Sequence, residues 1–196
     1  MAALLIDDFN TAMTRTTLGV HTEQTRYQSV NPQMARMIRF AVTDDPHNQQ
    51  GSVEVRNGLL IVSAGYDSMD GLTLQYGGGI DQQNGQLALK PLHLDFTKFK
   101  NLLISFNGST QNLNINVVIF SNSGRTSWSD NTESVVCKTE GNRNPKQLVV
   151  PTASFVDNLA THTSYKASDI HVIHIGIQNL GFIGGHDYAI TKIELL

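Results

Sequence analysis

The stretch Ser52-Val53-Glu54-Val55-Arg56-Asn57-Gly58-Leu59-Leu60-Ile61-Val62-Ser63 decides the fold class of this chain. Two β-rich runs flank Asn57-Gly58, and both central positions of a two-residue hairpin turn need positive φ, which Asn and Gly adopt with least strain. The spacing predicts an antiparallel hairpin. Working outward, Met34-Ala35-Arg36-Met37-Ile38-Arg39-Phe40-Ala41-Val42 reads as a strand before it. After it come Gly71-Leu72-Thr73-Leu74-Gln75-Tyr76, a turn at Gly77-Gly78-Gly79, and Gln86-Leu87-Ala88-Leu89. Residues 92–99 lead into a core strand at 101–106, and 113–120 form the next. There Leu113, Ile115, Val117 and Ile119 share one face while Asn114 and Asn116 take the other, the mark of a strand buried on one side.

Residues 121–125 read as a turn and 133–138 and 146–150 as strands, with Pro151 ending the second. Residues 155–169 are polar and irregular with one short helical turn, and strands at 170–177 and 188–195 close the chain. Alternation of period two recurs throughout, and no helical periodicity is sustained. Short strands separated by turn signals imply an all-β fold, a two-sheet antiparallel sandwich of jelly-roll type, as one domain over 1–196.

Composition narrows the function classes. Of 196 residues 40% are hydrophobic and only 16% charged, so polarity rests on Asn, Gln, Ser and Thr beside 16 glycines. The net charge of −3 carries no long run of either sign, which argues against nucleic acid as a partner. The one cysteine, Cys137, lies in a β-like stretch and reads as a buried structural thiol; a Cys-based zinc site and an intrachain disulfide need a second. No apolar run reaches the length of a membrane helix, so no membrane insertion is expected. The N-terminus lacks the basic start of a signal peptide, which fits a cytoplasmic chain or a mature exported one.

Three stretches carry a family resemblance: Ile6-Asp7-Asp8-Phe9; the segment Leu94-Asp95-Phe96-Thr97-Lys98-Phe99 running on to Phe106; and Gln147-Leu148-Val149-Val150-Pro151-Thr152-Ala153-Ser154-Phe155. Together they resemble galactose-binding-like jelly rolls, which include carbohydrate-binding modules and the complex I intermediate-associated protein family. The opening Leu5-Ile6-Asp7-Asp8-Phe9 also resembles β-rich domains of exported bacterial proteins of the PEP-CTERM type. The resemblance implies a jelly-roll fold and a structural calcium ion held by oxygens of the first and last strands, with Asp7 and Asp8 as the donors here. The last strand departs from that pattern, with Thr191 and Lys192 where acidic residues would help.

Sugar recognition needs aromatic faces beside planar polar side chains. Trp128, Tyr66, Tyr76 and Tyr27 supply the faces, and Arg125, Asn122 and Asp130 lie in the polar segment around Trp128, read as a loop. His171 and His174 sit three apart in one strand, hence on opposite faces, and His186 next to Asp187 follows two glycines. No His-x-His or His-Glu-x-x-His spacing appears, and no nucleophile elbow, phosphate loop or dinucleotide fingerprint. The first reading is a non-catalytic module for carbohydrate or another polar surface ligand. The second is a cofactor-independent cyclase or lyase with a pocket between the sheets, in which Tyr76, Asp95, His93 or Glu54 acts as acid or base. The third is a homo-oligomer assembled through exposed edge strands.

Overall fold

A computed structural model describes residues 2–32, 34–77, 80–81, 88–109, 113–121, 124–130, 146–156, 165–180 and 186–196. The expected strand at 133–138, Cys137 and Asn122 lie outside the described residues. The described strands are, in chain order, β1 (Leu4–Asp7), β2 (Met13–Leu18), β3 (Thr22–Asn31), β4 (Met34–Asp44), β5 (Gly51–Arg56), β6 (Leu59–Ala64), β7 (Met69–Tyr76), β8 (Ile80–Asp81), β9 (Ala88–Leu89), β10 (Asn101–Ser109), β11 (Asn114–Ser121), β12 (Gly124–Asp130), β13 (Lys146–Pro151), β14 (Ile170–Leu180) and β15 (His186–Leu195). Among the described residues no helix is long and apolar enough to cross a membrane.

The hairpin forms as expected. Asn57 and Gly58 take φ of 52° and 72°, and Arg56 pairs with Leu59, so the turn holds two residues. β5 and β6 then enter a seven-stranded sheet ordered β13-β10-β15-β6-β5-β2, with β1 added beside β15. The facing six-stranded sheet runs β12-β11-β14-β7-β4-β3, and every described strand pair is antiparallel. This is the expected jelly-roll sandwich. Alternate residues of each sheet meet inside: Ile38, Phe40, Leu72, Leu74, Ile115, Val117, Ile173 and Ile175 from one, Val53, Val55, Leu60, Val62, Leu102, Ile104 and Ile193 from the other. Each is 3% exposed or less, so the described space between the sheets is filled by side chains.

Two local differences from the sequence reading have physical causes. β2 and β3 form although their sequences lack apolar alternation; β3 is an edge strand whose residues are almost all exposed or half-buried, so no core face was written into it. Within residues 92–99, which lead into β10, Asp95 accepts from the Thr97 amide at 3.1 Å and caps a short 3₁₀ helix at Phe96–Lys98. A short 3₁₀ turn lies at Thr152–Ser154, and much of 155–169, where a helical turn was expected, lies outside the described residues. Residues 124–130, read as a loop, are the edge strand β12. Pro151 ends β13, an edge strand, where its missing N–H leaves no ladder partner unsatisfied.

Candidate functional site

The outer face of the six-stranded sheet carries a polar groove built from three rungs of register-matched residues. Ala41, Gly71, Gln178 and Asn114 form one rung across β4, β7, β14 and β11; Arg39, Thr73, Gly176 and Asn116 form the next; Met37, Gln75, His174 and Val118 the third. Their neighbours along each strand are the core residues named above, so the period of two delivers these positions to the outside. A cavity of about 360 Å³ lies over them, lined by Arg39, Thr73, Asn116, His174 and Gln178 around Gly71, Gly176 and Ala41. Three interstrand spacings of about 4.8 Å make it roughly 14 Å across. On its rim the Arg39 Nε donates to Glu23 Oε2 at 3.1 Å, holding the guanidinium at the groove's edge.

The glycines of the floor are informative. A Cβ on Gly176 would meet nothing nearer than Asn116 Cβ at 3.9 Å, and one on Gly71 nothing nearer than the Ile177 carbonyl oxygen at 4.0 Å. Gly51 differs, since a Cβ there would lie 2.7 Å from Val42 Cγ2. Packing therefore requires glycine at 51 but not at 71 or 176. Glycine inside a strand costs about 0.5–1 kcal/mol relative to alanine, so the floor is open at the expense of strand stability.

The inner face of the same sheet holds a closed polar cluster at the position where calcium was expected. Arg36 and Asp7, both buried, form an ion pair in which one Arg36 Nη1 spans Asp7 Oδ1 at 2.9 Å and Oδ2 at 2.8 Å. Oδ1 also accepts from the Phe9 amide at 2.8 Å and Oδ2 from the Tyr76 hydroxyl at 2.9 Å. Arg36 Nη2 donates to the Thr11 carbonyl at 2.5 Å and to Gln28 Oε1 at 2.7 Å, and Nε to the same Gln28 oxygen at 3.1 Å. The Phe9 ring lies 5.2 Å from the guanidinium carbon. All the donor nitrogens of Arg36 and both oxygens of Asp7 are thus engaged. Burial pushes the Tyr76 phenol well above its ordinary value, and the Asp7 charge adds to it.

This donor set does not fit a calcium ion, because the guanidinium already stands against both Asp7 oxygens. Asp8 points away from the cluster, accepting from the Asn10 amide at 3.2 Å and its side-chain nitrogen at 2.7 Å in an exposed turn. Asp7 is buried against Arg36 and Tyr76 while Asp8 is engaged by Asn10, so the two carboxylates do not share a partner.

The remaining sequence candidates scatter. Tyr76 is fully buried as a partner of Asp7, so it offers no stacking face to a ligand. Tyr66 is exposed in the turn between β6 and β7, its ring 5.2 Å from that of His47. Arg125 and Trp128 lie on β12 at the register positions of Phe120 and Val117, and Asp130 ends that strand opposite Ile115. Tyr27, on β3, pairs with Met37 and so extends the third rung to the sheet edge, 38% exposed. Glu54 pairs with Arg56 at 3.3 Å, and Asp95 serves as the helix cap.

The groove was missed because its residues are individually ordinary and come from four strands distant in sequence. A usable signal was present in Gly71 and Gly176, each a glycine inside an otherwise strong β run, a pattern that marks close approach by a ligand or another backbone.

No family model and no curated protein sequence matches this chain. Among solved structures it is similar to a family 11 carbohydrate-binding module from Clostridium thermocellum in complex with a beta-1,3-1,4-mixed-linked tetrasaccharide, with TM-score 0.46 and 12% identity over 99% of this chain and 95% of that one. The solution structure of CtCBM11 gives a TM-score of 0.46 and 12% identity over 100% and 95% of the two chains. The family 11 module of the cellulosomal cellulase Lic26A-Cel5E of the same organism gives 0.44 and 12% over 100% and 95%. No residue of the groove takes a role from these structures; its chemistry rests on its own side chains.

Proposed function

We propose that this domain is a non-catalytic glycan-binding module whose ligand lies in the groove on the outer face of the six-stranded sheet. The observation that carries this reading is the floor of Gly71 and Gly176, open where packing would accept a larger side chain. Planar polar groups border it: the Arg39 guanidinium, the Asn116 and Gln178 amides and the His174 imidazole. Such groups donate to and accept from sugar hydroxyls, directly or through water. The width of four strands suits a short run of sugar rings, and Tyr27 at the end of the third rung supplies an exposed aromatic face. A few oriented polar groups around an apolar or neutral floor is the usual make-up of a small-ligand site.

Glycan-array screening followed by calorimetry on the wild type and on Gly176→Val tests the reading. The valine Cβ meets nothing nearer than 3.9 Å and its methyl groups rise from the floor, so binding should fall by at least tenfold while the unfolding midpoint holds or rises. A chain that recognises no glycan, or a Gly176→Val variant that binds as the wild type does, would end this proposal.

A further inference from the structure

Outside the groove, His93, Asp169 and His171 form a cluster of potential metal ligands. His93 lies 76 positions before Asp169, and one backbone ladder brings it to Asp169 and His171. Leu94 and Ile170 exchange hydrogen bonds, the Leu94 amide to the Ile170 carbonyl at 3.0 Å and the Ile170 amide to the Leu94 carbonyl at 2.8 Å. The Leu92 amide donates to the His171 carbonyl at 2.9 Å. Leu92 and Leu94 pack on the core, so the ladder holds the segment in place and leaves the side chain of the residue between them at the surface. His93 itself takes a φ of 54°, the left-handed region that a histidine enters only with strain.

The three side chains converge. His93 Nδ1 lies 2.9 Å from Asp169 Oδ1, and His171 Nε2 lies 3.3 Å from Asp169 Oδ2. The two imidazole rings meet edge to face at 4.9 Å between centroids. One ligand atom from each residue falls within 4.8 Å of the other two. Tetrahedral zinc with bonds of about 2.0–2.1 Å sets its ligands roughly 3.3 Å apart, so small rotations about the side-chain bonds bring these atoms onto one ion. The set is two imidazoles and one carboxylate, the composition that borderline transition ions prefer over calcium or magnesium. His93 is well exposed while Asp169 and His171 are half-buried, which gives the ion a path from solvent and a rigid base.

We propose that His93, Asp169 and His171 form a surface site for a divalent transition-metal ion of the zinc type, with solvent or a ligand group completing its coordination. The site pins the 92–94 segment to the start of β14. It is separate from the glycan groove, none of its residues lining that cavity, so it stands or falls independently of the proposed function.

Titration of the metal-free full chain with zinc chloride, followed by calorimetry, tests it, with cobalt(II) absorption as a reporter of coordination geometry. The expected result is one saturable ion per chain and a rise in thermal midpoint on binding. His93→Asn removes one ligand at an exposed position, and Asn tolerates the same φ, so the fold is kept; zinc affinity should fall by tenfold or more. Asp169→Asn, which keeps the shape of the side chain, should do the same, with the circular dichroism of both variants matching the wild type. His21→Asn, at an exposed histidine of similar φ far from the cluster in sequence, should leave affinity unchanged. Absence of saturable zinc binding by the wild type, or wild-type zinc affinity in His93→Asn or Asp169→Asn, would overturn the site.

Discussion

Arg36 and Arg39 stand three residues apart on β4 and face opposite sides of one sheet. Arg36 is fully buried, and every nitrogen of its guanidinium is engaged by Asp7, Thr11 or Gln28. Arg39 is about half exposed, is held by Glu23 alone among the described contacts, and borders the groove. The same chemical group is sealed into a structural cluster on one face and borders an open groove on the other. The difference is solvent: a buried charge must be matched completely by the protein, whereas an exposed one keeps water as a partner it can exchange for a ligand.

The most severe way to break this contrast is Arg36→Met. It leaves the Asp7 carboxylate buried without its counter-charge and should cost about 3–5 kcal/mol in urea unfolding. Adding Asp7→Leu to that variant should recover part of the loss, because the stranded charge leaves with it.

Alkaline unfolding probes the same cluster from the Tyr76 side. Burial raises the Tyr76 and Tyr188 phenols well above 10.0, and raises Tyr165 to about 12. Above the ordinary tyrosine value the unfolded chain releases these protons while the fold retains them, so stability is full below about pH 10 and falls as pH rises through the folded values. The slope approaches about 1.4 kcal/mol per pH unit for each tyrosine that stays protonated only in the fold. Tyr76→Phe should make the decline shallower in denaturation series taken at stepped pH.

On the outer face the effects should be small in stability and large in binding. Gly176→Val should gain about 0.5–1 kcal/mol, as glycine's strand penalty is removed, while abolishing glycan capture. Arg39→Met should change stability by about 0.5 kcal/mol or less, as exposed ion pairs do, yet weaken glycan binding several-fold in calorimetry. An Arg39→Met variant as destabilised as Arg36→Met would erase the distinction between the two faces.

Much of the fold was legible from local pattern. The Asn57-Gly58 turn, the one-sided strand from Leu113 and the closing strands all appear as read, since turn dihedrals and period-two burial are local properties of the chain. β3 was not legible, because an edge strand has little core to write into its sequence, nor was the strand character of residues 124–130. The sites were less legible still. Tyr76 looked like a ligand-stacking residue and Asp7 like a metal donor, and each was read without its partner. Asp7 meets Arg36 across 29 positions and Tyr76 across 69, and no local spacing encodes such a pairing.

The sequence by itself determined that this chain is a β-sandwich with a chemically neutral, amide-rich surface, through alternation, turn residues and low charge. Tertiary structure alone decided which polar residues are sealed and which are offered. Strand register aligned Gly71, Gly176, Arg39 and Asn116 on one open face, and one ladder brought His93 to Asp169 and His171. Register is a property of pairs of strands, and the groove and the metal site both exist only in the pairing.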